Sequence, residues 1–147
     1  MGAWGYGILD SDDGYDVVDE ISIKTELSFE YLIEGFYDLE SENRKIMIEK
    51  LSNENIWKEL IYNEDLSQFI IFSLYVSLGL SEFIEKITIN SNKNIKESVA
   101  ILKKQIYNFE EEKYPELKSN IDLVFESFYN KKPFSVKSKS LLECLNN

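Results

Sequence analysis

Leu66-Ser-Gln-Phe-Ile-Ile-Phe-Ser-Leu-Tyr-Val-Ser-Leu-Gly-Leu80 is the most apolar stretch of this 147-residue chain, and its reading decides the fold. Apolar side chains fall on nearly every side of any helix drawn through it, which marks an element with no solvent face. Asn63 or Asp65 can cap its start, and Gly79 is a natural stop because glycine enters the left-handed region at no steric cost. The run is shorter than the twenty or so apolar residues needed to cross a bilayer. It is therefore expected to be the central helix of a core. Its β-branched and aromatic content leaves a strand open as the other reading.

The segments around it carry helical periodicity. Ser28 can cap a helix whose inner face is Phe29, Leu32, Ile33 and Phe36, spaced i, i+3, i+4, i+7. Gly35 inside it costs roughly 1 kcal/mol relative to Ala and leaves room for a close neighbour. Ser41 to Arg44 opens another helix, with Ile46, Met47, Ile48 and Leu51 as its apolar positions. A short one follows through Ile56, Trp57, Leu60 and Ile61. Phe83, Ile84, Ile87 and Ile89 form a short helix or strand. The longest helix is expected from about Asn92 to Lys113, with Ile95, Val99, Leu102, Ile106 and Phe109 as its seam. Pro115 breaks it and suits the first turn of the next, whose inner face is Leu117, Ile121, Val124, Phe125 and Phe128. After the loop at Asn130–Pro133, a terminal helix is expected through Val136, Leu141, Leu142 and Leu145. The expectation is a mainly α fold: one helical-bundle domain over residues 1–147, of about six to eight helices, with an irregular or short extended N-terminal segment.

That N-terminal segment is the most peculiar in composition. Residues 1–9 set Trp4 among Gly2, Gly5 and Gly7, too glycine-rich for a helix and suited to a plug on the core. Asp10, Ser11, Asp12 and Asp13 then cap a helix start and suit the positive end of its dipole. Tyr15, Val18 and Ile21 recur three apart, giving a short helix to about Ile21.

Charge is distributed unevenly. Through Glu42 there are twelve acids against one base, Lys24, whereas from Asn43 onward fifteen acids meet fifteen bases. The net charge of −11 therefore belongs wholly to the first third. Such a field repels nucleic-acid phosphates and anionic lipid, and it attracts a basic protein surface. No basic-then-apolar leader and no membrane span are found, and Tyr6 stands where a myristoylation signal wants Ser or Thr. A cytoplasmic location is expected. Cys144 is the one cysteine, so no disulfide forms within the chain.

The sequence offers no catalytic constellation. It has no histidine, which removes the commonest general base and a common metal ligand and excludes His-containing triads. Read as an EF-hand loop from Asp10, the aspartate cluster places Gly14 at position five, Tyr15 in the glycine slot and Ile21 at position twelve, so the motif fails. Gly5-Tyr-Gly7-Ile-Leu-Asp10 puts an aspartate where a dinucleotide fingerprint needs its third glycine. No cofactor, no metal and no catalytic residue is assigned.

Trp4, Gly5, Gly7, Asp10 and Asp12 match an opening of the form M-G-x-W-G-x-G-x-F followed by an acidic residue, Asn and Asp. In this the first twenty or so residues resemble a bacterial family of unknown function. Leu9 stands for its usual Phe and Ser11 for its usual Asn, and the likeness does not extend along the remainder of the chain. The resemblance implies a small, stand-alone, non-enzymatic helical protein; some relatives with this opening sit beside polymorphic toxins as immunity proteins.

The function expected is thus an immunity protein that covers a basic toxin domain, most plausibly a nuclease. Asp10, Asp12, Asp13, Tyr15, Asp16, Asp19 and Glu20 are the candidate partner-binding residues. A helical adaptor or regulator with an unrelated partner is the alternative, and a carboxylate enzyme is a third reading. Direct nucleic-acid and membrane partners are not expected.

Overall fold

The computed structural model describes residues 12–60, 65–88 and 115–136. The Trp4 plug, the 92–113 helix, the terminal helix through Leu145, Cys144 and Asp10 lie outside the described residues. Seven helices and no strand are found among those described: α1 (Asp12–Thr25), α2 (Phe29–Tyr37), α3 (Asn43–Leu51), α4 (Glu54–Leu60), α5 (Asp65–Ser77), α6 (Ser81–Thr88) and α7 (Pro115–Asn130). The mainly α bundle expected from periodicity is the fold.

The apolar stretch is helix α5, and every residue from Phe69 to Leu78 is buried. A helix can place serines there because Ser73 Oγ donates to Phe69 O at 2.7 Å and Ser77 Oγ to Leu74 O at 2.8 Å. Each hydroxyl is thus satisfied by its own helix. Gly79, at φ +78°, ends the element. Its N–H donates to Val76 O at 2.9 Å and that of Leu80 to Tyr75 O at 3.1 Å, the paired bonds of a Schellman cap. Helices α1, α6 and α7 pack on α5, while α2 packs on α1 and α3, and α4 on α1 and α3. Tyr75 is edge-on to Trp57 at 4.7 Å and stacked on Phe83 at 6.0 Å, and Phe72 meets Phe125 and Phe128 of α7. The aromatic content of this stretch, which left a strand open, is what fills the space between helices.

Helix α2 starts as its sequence indicates, with Ser28 Oγ accepting from the Tyr31 N–H at 3.2 Å. Gly35 lies where α2 touches α3: a Cβ there would overlap Met47 Sδ. Three consecutive apolar residues, Ile46, Met47 and Ile48, cannot all face one side of a helix. Met47 and Leu51 go to the core, Ile46 is exposed, and the third buried position of α3 is Arg44.

Arg44 joins three parts of the chain. Its Nη1 donates to Gly35 O at 2.8 Å and its Nη2 donates to Ser77 O. These carbonyls belong to the last turns of α2 and α5, the negative ends of both helix dipoles, which is where a guanidinium is stabilised. Burial pulls the Arg44 pKa below its ordinary value, and Asp38 acts in the opposite direction. Residues 132–136 cross the same helix ends. The Phe134 N–H donates to Ser77 O at 3.2 Å and that of Val136 to Phe36 O at 2.9 Å, with both side chains buried.

Candidate functional site

Helix α1 is longer than the three-residue spacing of Tyr15, Val18 and Ile21 implies. It continues to Thr25, whose buried Oγ1 donates to Ile21 O at 2.6 Å, and stops where Glu26 takes a left-handed conformation at φ +62°. The extra turn matters because it brings Ile23 onto the helix. Gly14, Val17, Val18, Ile21 and Thr25 face inward. From Gly14 to the end of the helix, the exposed residues are Tyr15, Asp16, Asp19 and Ile23. At 100° per residue these four share one stripe.

The candidate residues therefore separate. Tyr15, Asp16 and Asp19 are brought together on the solvent face of α1. Glu20 lies on the flank of that stripe and is half-buried. Asp12 and Asp13 begin α1, and their side chains lie outside those the structure describes. Tyr15 is anchored rather than loose: its ring lies 4.6 Å from that of Phe29 on α2. Ile23 was not legible as a site residue, because an isolated isoleucine beyond the last apolar repeat carries no periodic signal. It is 72% exposed, more than any other exposed large apolar residue described.

Electrostatically the face is uncompensated. Asp16, Asp19, Glu30, Glu34, Glu40 and Glu42 are exposed and take part in no ion pair among the described residues. Lys24, the single base before residue 43, turns away to α4, where its Nζ meets Glu59 Oε2 at 2.8 Å. That hydrogen bond raises the Lys24 pKa above its ordinary value. Cations elsewhere are used differently: Lys131 sits 3.6 Å from Glu82 and 3.7 Å from Glu85, and Lys58 is 4.0 Å from Glu54.

A cleft of about 390 Å³ between α1, α3 and α4 is the other candidate. Its lining pairs Lys24 and Lys50 with Glu26 and Glu49 beside Ile46 and Ile56, so it has no charge preference of its own. Among the described residues no three carboxylate or cysteine side chains are grouped to hold a metal ion, and no helix is long and apolar enough to cross a membrane. The α1 face presents two carboxylates and two apolar side chains, Tyr15 and Ile23, to solvent. No family model, curated protein or solved structure matches the chain.

Proposed function

We propose that this protein is an immunity protein that binds and covers a basic toxin domain, a nuclease being the best fit. The observation that carries the reading is the exposed acidic surface of α1 and α2, whose one lysine is paired with Glu59 of α4. A nuclease needs a basic cleft to hold phosphates, so an acidic surface mimics the charge of its substrate. Opposite fields also speed encounter, which matters when the target is lethal. The resemblance of the opening residues to a family with immunity members supports the same reading. Asp10, Asp12, Asp13, Tyr15, Asp16, Asp19 and Glu20 are assigned to the partner surface.

Co-expression with basic nuclease toxin domains tests this. The expected result is restored growth and a complex that co-purifies. Charge reversal at Asp10, Asp12, Asp13 and Asp16 is expected to slow association at least about tenfold and to flatten its salt dependence. An association rate untouched by that reversal removes the acidic opening from the interface. Failure to neutralise any toxin of the set removes the immunity function.

A further inference from the structure

The exposed side of α1 is unusual for a solvated helix face. Such faces carry alternating lysines and glutamates, which support each other across i, i+4. Here the whole exposed set from Gly14 onward is Tyr15, Asp16, Asp19 and Ile23: two carboxylates between two large apolar side chains, with no cation. The apolar pair is eight residues apart, about 12 Å along the axis. Neither end serves the core. Ile23 is 72% exposed, and Tyr15 remains 46% exposed although its ring rests on Phe29.

The geometry points to this stripe as a docking surface for a cationic, amphipathic protein segment that places lysine or arginine over Asp16 and Asp19 and apolar side chains against Tyr15 and Ile23. The assignment rests on the reading of the chain as a binder of a basic protein, and it deepens that reading by naming the anchors. Charge complementarity selects the occupant. A second copy of this chain would bring four aspartates together, and an anionic lipid surface would be repelled. The division of labour is that of protein interfaces in general: desolvated apolar and aromatic anchors hold the complex, and charges guide its formation.

A synthetic amphipathic peptide of Lys and Leu, about eighteen residues long, is a suitable probe, with a control in which every Leu is Ser. Binding is measured by calorimetry on the full chain at about 150 mM salt. Ile23→Ser is expected to weaken the Leu-containing peptide about tenfold, as follows from burying one isoleucine. Leu39→Ser, at another exposed apolar site, between α2 and α3, is expected to leave it within about twofold. Equal affinity for the all-Ser control, or for Ile23→Ser and the parent chain, overturns the proposal. Concentration-dependent dimerisation that Ile23→Ser abolishes makes the occupant a second copy and also overturns it. The two readings fail separately: toxin rescue that survives Ile23→Ser discards this surface and keeps immunity. Peptide binding through Ile23 without rescue of growth keeps the surface and discards immunity.

Discussion

Helices α5 and α1 pack against each other, yet they are written by different rules. Every side chain from Phe69 to Leu78 is buried, Ser73 and Ser77 bond to carbonyls of α5, and Gly79 closes its end. Nothing along that length is left for a partner. Helix α1 has an inner face of the same kind, Val17, Val18 and Ile21 at 2% exposure or less, and an outer face that stability does not explain. Two aspartates without a cation and an isoleucine in water contribute little to folding. The difference separates residues kept for the core from residues available for binding, and substitutions on the two helices should respond accordingly.

The largest effect is expected in α5. Leu74 is fully buried, and Leu74→Ala should lower unfolding free energy by about 2–5 kcal/mol, measured by denaturant titration. A loss below about 1 kcal/mol, the range of surface sites, would mean that α5 is not the centre of the core.

The burial of α5 was legible in the sequence because a largely apolar run ending in glycine needs only local information, whereas its β-branched and aromatic residues left helix and strand both open. Helix α2 was legible because the Ser28 cap and the Phe36 stripe are local. Helix α1 was legible on its inner face only; its last turn was missed because Ser22, Ile23, Lys24 and Thr25 have no helical spacing of apolar residues. Thr25 is buried there through a bond to Ile21 O, while Ile23 faces water. Arg44 was the least legible. Its partners are carbonyls 9 and 33 residues away, and carbonyls carry no residue identity. Its burial follows from the crowding of Ile46, Met47 and Ile48 on α3, which sends one isoleucine outward and leaves a core position to a guanidinium.

A middle-sized effect sharpens the picture of α5 as a helix with no spare function. The Tyr75 hydroxyl is buried without a hydrogen-bond partner among the described residues. Tyr75→Phe keeps the ring contacts with Trp57 and Phe83 and removes the orphan group, so a gain of about 1 kcal/mol is expected at neutral pH. Burial pushes the phenol pKa above its ordinary value of 10.0. The unfolded chain therefore ionises this group first. Its contribution is intact below pH about 10 and is lost as pH rises beyond that. The advantage of Tyr75→Phe should widen above pH about 10 in thermal melts; an advantage that stays constant there would show the hydroxyl to be solvated.

The smallest effect belongs to α1 and has the opposite sign to the first. If Asp16 and Asp19 served stability, neutralising them would cost melting temperature, as the loss of a cap or an ion pair does. They instead repel each other across an i, i+3 spacing, with no lysine on that face to offset them. Asp16→Asn with Asp19→Asn should therefore raise the melting temperature by about 1–2 °C at low ionic strength. The gain should vanish at about 1 M salt, where the screening length shrinks to roughly 3 Å. A lower melting temperature in the double variant would place both aspartates among the folding determinants, and the contrast between α1 and α5 would no longer point to a partner.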